Sequence, residues 1–248
     1  MDIYVLDEKA EILDIVDVFQ SVIWTVQYYS QGDFELIVPA TKKNIDLMQK
    51  DRLLCRDKDI TKDTFKNVMV IEDIKIESDW EEGDKLTVSG KSLKSIVGRR
   101  VVWKQTNLTG NLEAGIRYVL NENVIDPEEE SRKIANVELD EVAGITDTID
   151  AQLLGDNIAE WIESICSTHE IGWDMYVRSK KYIFRLYKGT DRTYNQTEVP
   201  AVVFSDEYDN LLESIYTYER GDYKNAALIG GEGEGVNQRT TTIGEATG

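Results

Sequence analysis

A chain of 248 residues with 41% apolar content is long enough to bury one large core or two to three small ones, with no need of a disulfide scaffold. Its formal net charge of −19 is spread along the whole length, which repels phosphate backbones and anionic lipid and argues against sequence reading of DNA. Met1–Asp7 has neither a basic start nor a long apolar run, and no window approaches the about 18 apolar residues of a membrane helix, so a cytosol-like setting is expected.

The first hundred residues read as short strands. Alternating or apolar runs occur at Ile3–Leu6, Ile12–Val16, Val22–Tyr28, Phe34–Val38, Leu53–Arg56, Val68–Ser78 and Asp84–Ser89. Ser30–Asp33 and Trp80–Gly83 supply turn signals, and regular strands with polar turns point to a small barrel or sandwich. Lys42–Lys50 reads as one or two helical turns between strands. Cys55 and Cys166 sit among apolar neighbours and are expected to be small core hydrophobes.

From about Thr106 the period changes. Leu112, Ile116, Val119 and Leu120 share one face of a helix that starts near Thr109 and frays toward Asn123. A second helix carries Ile158, Trp161, Ile162, Ile165 and Cys166, with Asp156 or its neighbour as N-cap and Gly172 past its end. Strands at Trp173–Arg178 and Lys181–Tyr187 follow, joined at Ser179 and Lys180. After Pro200 the strand pattern resumes at Ala201–Ser205, Leu212–Tyr218 and Asn225–Gly230.

Several chemical motifs begin and then fail. Gly90-Lys91-Ser92 ends like a phosphate-binding loop, but position 85 is Lys and Gly83 is too early for the backbone to wrap a phosphate, so Gly90 is expected to be a strand-to-helix junction. Asp57–Asp63 imitates a calcium loop, yet Lys62 stands where a glycine is needed and Val68 where a glutamate must close the shell. His169 is the only histidine, and no Gly-x-Ser-x-Gly elbow accompanies it; a capping role at the end of the second helix is expected. No catalytic, cofactor-binding or metal-ligating residue is assigned. Trp24, Trp80, Trp103, Trp161 and Trp173 read as core or interface anchors, with Trp80, in an acidic turn, exposed for a partner.

One ordered set of segments carries a resemblance: Ser21–Thr25, Tyr28–Ala40, Val70–Asp73, Leu86–Leu93, Arg99–Trp103 and Gly230–Gly235. Together they resemble the tail-hub proteins of siphovirus-type phages and prophages of Gram-positive hosts. The resemblance implies a structural, non-enzymatic baseplate hub at the virion tail tip, assembled as a homotrimer that caps the tail tube. It implies distal-tail and tape-measure proteins as partners, no cofactor, and DNA only in transit through an acidic lumen. The expected fold is α+β and mainly β. A β-barrel-like tube domain (1–105) is interrupted by an α+β insertion (106–200) and resumes at 201–230, and a second tube-like domain starts at 231–248 and is cut off. The competing readings are a tail-associated cell-wall hydrolase and a carbohydrate- or receptor-binding module.

Overall fold

The structure, a computed structural model, describes residues 1–78, 80, 83–211, 213–221 and 223–244. The chain divides into two compact units, Met1–Thr190 and Asp191–Gly248. In the first, seven strands make one antiparallel sheet: β1 (Ile3–Leu6), β2 (Ile12–Val16), β3 (Ser21–Trp24), β4 (Asp33–Pro39), β5 (Leu53–Arg56), β8 (Met69–Glu77) and β9 (Lys85–Ser92). Their order is β2-β1-β5-β8-β9-β4-β3. The short strands β6 (Ile60–Thr61) and β7 (Thr64–Phe65) leave it for a second sheet.

The expected barrel is not closed, because β2 and β3 are the two edges of the sheet. The sheet is nevertheless curled. Seven flat strands would hold their edges about 29 Å apart at about 4.8 Å per gap. Only residues 17–20 link β2 to β3, so Val16 and Ser21 lie at most about 19 Å apart. Phe34, Leu36 and Val38 of β4 and Leu86 and Val88 of β9 alternate inward onto one core. Helix α1 (Lys42–Leu47) adds Leu47, followed by Met48; its N-cap Thr41 accepts the Asn44 N–H at 3.2 Å.

Three strands differ in being apolar on both faces. In β1, Ile3 and Val5 point into that core while Leu6 points the other way. In β5, Leu54 opposes Leu53 and Cys55, and in β8, Met69 and Ile71 oppose Val70. A sheet buried on both sides needs a second layer.

That layer comes from residues 106–187. Strands β10 (Thr106–Asn111) and β12 (Thr148–Leu153) pair with each other. The helices α2 (Leu112–Leu120) and α3 (Ile158–Thr168) bury Ile116, Val119, Ile162 and Cys166 in the same core as Leu53, Val70 and Leu93. The second sheet runs β11-β14-β13-β7-β6, with β11 (Val137–Leu139), β13 (Gly172–Arg178) and β14 (Lys181–Tyr187). Phe65 of β7 pairs with Val177 of β13, so the first hundred residues contribute two strands to this sheet. The expected boundary between 105 and 106 thus runs through one hydrophobic core.

The chain after residue 190 also departs from expectation. Ala201–Ser205 is not a strand; Leu212 lies outside the described residues, and 213–218 contains no strand. Strand β15 (Ala226–Gly230) pairs with β16 (Thr240–Gly244) in a two-stranded sheet of its own, so the expected return to the first sheet is not seen there. Glu81, Glu82 and residues 245–248 lie outside the described residues, so the Trp80–Gly83 turn and the end of the expected second domain are covered only in part.

Both cysteines are free and buried, as expected, and burial pushes each thiol up to about 12. Native protein at pH 8 is therefore expected to resist iodoacetamide, with both thiols labelled only once it is unfolded in urea; mass spectrometry of the quenched mixture checks this. Glu113 gives a second test. It is 2% exposed, and its carboxylate accepts the N–H groups of Ala143 (2.7 Å), Gly144 (3.0 Å) and Ile145 (3.1 Å), fixing that loop to the start of α2. Glu113→Gln replaces an acceptor by a donor facing backbone N–H groups and is expected to cost about 1–3 kcal/mol, seen as a lower urea midpoint at unchanged slope.

Candidate assembly surface

The unpaired strands are the first candidate. Edge strands are normally blunted by lysine, proline or a bulge, since they offer free N–H and C=O groups to another chain. Neither β2 (Ile-Leu-Asp-Ile-Val) nor β3 (Ser-Val-Ile-Trp) carries lysine or proline, but β2 is bulged at Leu13, so β3 is the less protected edge. Ile12 (51%), Leu13 (44%) and Ile23 (56%) are exposed along them, and Val18 (64%) is exposed in the link between them. Trp24 fixes the end of β3: its Nε1–H donates to Asn67 O at 3.2 Å and the Arg56 guanidinium lies 5.0 Å over its ring.

The β8–β9 hairpin is the second. β5 pairs with β8 only at Met69 and Val70, so from Glu72 onward β8 has β9 alone as a neighbour. Ile74 and Ile76 face across to Val88 and Leu86, on the side of the inner core, but are exposed. Trp80, at the turn, is 92% exposed, as the acidic turn sequence led one to expect. Gly90 is not the strand-to-helix junction: it lies within β9 opposite the bulge at Glu72, where a Cβ would meet Val70 O at 2.0 Å. The junction is Ser92, ahead of the 3-10 segment Leu93–Arg99.

Lys94, in that segment, holds the link from β3 to β4 in place. It is 4% exposed, and its ammonium donates to the carbonyls of Gln27 (2.9 Å), Ser30 (2.9 Å) and Tyr28 (3.5 Å). The same Nζ lies 4.8 Å over the ring of buried Trp173, whose Nε1–H donates to Tyr29 O. Tyr28 in turn accepts the Gly189 N–H at 2.6 Å and stacks edge-on against Tyr187. Gly172 lets these rings pass, since a Cβ there would lie 2.5 Å from Tyr28 and 2.7 Å from Tyr187. The β3 edge is therefore held by the second layer. Sequence reasoning missed Lys94, although a lysine between Leu93 and Ile96 on an apolar face was the available signal.

The motifs set aside from the sequence have structural uses. Asp57–Asp63 contains β6 and the turn of the β6–β7 hairpin, with Lys62 at φ 52°; Asp59 pairs with Arg56 at 2.6 Å and accepts from Asn67 at 2.7 Å. His169 is the C-cap of α3, and its Nδ1 lies 3.3 Å from Asp147 Oδ1. Among the described residues no group of three or more His, Cys, Asp or Glu side chains is placed to hold a metal ion, and no helix is long and apolar enough to cross a membrane.

A family model described as Siphovirus ReqiPepy6 Gp37-like protein matches residues 2–248. No curated protein matches the chain. Among solved structures it is similar to prophage tail protein gp18 of Listeria monocytogenes EGD-e, with a TM-score of 0.50 at 10% identity over 93% of this chain and 58% of that one. It is also similar to a tail protein of Neisseria meningitidis MC58, with a TM-score of 0.42 at 11% identity over 89% and 61% of the two chains. A third is the E. coli c3393 protein, a type VI secretion component with structural similarity to T4 bacteriophage tail proteins gp27 and gp5, with a TM-score of 0.39 at 10% identity over 65% and 43%. The chain spans a little over half the length of the Listeria protein.

The Lys94 clamp predicts a pH dependence. Burial pushes the ammonium from 10.5 down to about 8, against the opposing pull of Asp174. The folded chain then binds fewer protons at this site than the unfolded chain between about pH 8 and 10.5, so this contribution to stability rises with pH across that window. Lys94→Met removes the titration and leaves three carbonyls without their donor. The variant is expected to be less stable at pH 7, and the stability difference should widen in favour of wild type as pH rises to 10, measured by urea denaturation of both proteins at each pH.

Proposed function

Because the chain belongs to the Siphovirus ReqiPepy6 Gp37-like family, we propose that it is a structural protein of a phage or prophage tail: the hub at the tail tip that caps the tube and attaches distal components. The observation that carries this reading is the fold, similar over 93% of the chain to a prophage tail protein. Two open edges in a curled sheet, β3 without a bulge, lysine or proline, support it, since such edges are what a subunit presents when neighbouring copies complete its sheet.

In this reading three copies form a closed ring by heterologous contacts at the β2–β3 seam. The seam is no wider than about 19 Å where residues 17–20 span it, which limits any added strands there to about three at about 4.8 Å spacing. The net charge of −19 opposes association but suits a surface past which DNA slides without adhering. Tape-measure and distal-tail proteins are the expected neighbours, and no catalytic role is assigned to any residue.

Light scattering across a salt series tests the proposal. Salt shortens the Debye length from about 10 Å at 0.1 M to about 3 Å at 1 M, so the chain should move from monomer toward trimer as salt and concentration rise. Ile23→Lys, a change at an exposed edge position, should hold it monomeric at all salt concentrations with an unchanged melting temperature. A salt-insensitive dimer would contradict the reading.

A further inference from the structure

We propose that the cleft between Trp103 and the end of α2 is a binding site for a neutral saccharide. The inference is independent of the hub reading and rests on a different face of the first unit.

Two large aromatics border this cleft without belonging to a core: Trp103 is 55% exposed and Tyr118, on α2, 52%. The cavity between them and their neighbours is about 230 Å³, small for a drug-sized ligand and suited to a single sugar ring. Its floor is rigid. Asn123, 4% exposed, sits on the π-helical turn Asn121–Ile125 that extends α2. It accepts the Trp103 N–H at 3.0 Å and donates to Val119 O at 2.9 Å, locking the indole's backbone to the helix end. Such turns are rare and recur at functional sites.

The charge pattern selects the ligand class. Arg132 lies 4.5 Å over one face of the Trp103 ring and is held there by a 2.8 Å bond to Val101 O. That face is therefore closed to a second cation. Glu122, Glu128 and Glu129 line the opening, which disfavours an anion, and Lys104 is paired with Glu128. The cleft thus sets groups that only accept beside groups that only donate. Hydroxyls, which do both at once, satisfy each kind, and the C–H face of a pyranose ring packs on the exposed aromatic surface. A neutral sugar meets the donors, the acceptors and the exposed rings together, whereas an anion faces the three glutamates and a purely apolar ligand leaves the polar groups unpaired.

The test adds N-acetylglucosamine, its β-1,4-linked oligomer, glucose and galactose in turn to the full chain. It follows the indole N–H resonances of the five tryptophans, with calorimetry as the second readout. At least one sugar is expected to shift the Trp103 resonance saturably, with Kd on the order of 1 mM, while the resonance of exposed Trp80 stays in place. Trp103→Ala and Tyr118→Ala should each weaken binding at least about tenfold, or about 1.4 kcal/mol. If Trp103→Ala does not fold, Tyr118→Ala, at an exposed helix position, decides. The proposal is overturned if none of these sugars gives a saturable Trp103 shift, or if binding survives the folded variants unchanged.

Discussion

The first unit depends on burying β1, β5 and the start of β8 on both faces. Strands with apolar side chains on alternate positions alone can leave one face to water; strands that read Leu-Leu-Cys or Val-Met-Val-Ile cannot. Leu6, Leu53, Cys55 and Val70 all need cover on the side away from the sheet's inner core, and Ile116, Val119, Ile162, Trp173 and Phe184 supply it. The β7–β13 pairing adds backbone hydrogen bonds to that hydrophobic contact. Removing one large side chain from such a site typically costs about 2–5 kcal/mol, a large share of a domain's stability.

From that constraint the exposed features follow. Because the second layer holds the centre of the sheet, its edges are free to remain unpaired without unfolding. Lys94 extends the same support to the β3 edge by fixing residues 27–30, and Trp173 beneath it belongs to the shared core. The distal half of the β8–β9 hairpin lies beyond this support, which is why Ile74 and Ile76 are exposed although they share a face with buried Val88 and Leu86. Rigid centre and open rim fit a subunit that completes its sheet in an assembly.

Much of this was legible in the sequence, and the failures have physical causes. Local period located β1, β2, β4, β5, β8, β13, β14 and both long helices, because alternation and the i, i+4 pattern are written directly in side-chain polarity. Strands β10 (Thr-Asn-Leu-Thr-Gly-Asn) and β12 (Thr-Ile-Asp-Ala-Gln-Leu) were missed because they are mostly polar and find their ladder in each other. Barrel closure was over-read, since regular strands fix neither which pair forms the edges nor whether those edges meet. The insertion boundary followed a real change of period at about Thr106, but period reports an element's own type and not what it packs against. At the candidate surface, Trp80 could be anticipated from its acidic turn, whereas the seam depends on distant strand pairings such as Ile3 with Arg56 and Asp33 with Lys91, and the Lys94 clamp on contacts between residues more than 60 positions apart.

The central claim is that residues from both sides of position 105 form one cooperative unit. Native-state hydrogen exchange measures it directly. If the shared core governs stability, the slowest amides of β5 and β8 and those of β13 and β14 should exchange through one opening, with a single free energy equal to that of global unfolding and a common urea dependence. Exchange of β13 and β14 through a smaller, separate opening, while β5 and β8 stay protected, would contradict it and restore an independently folding insertion.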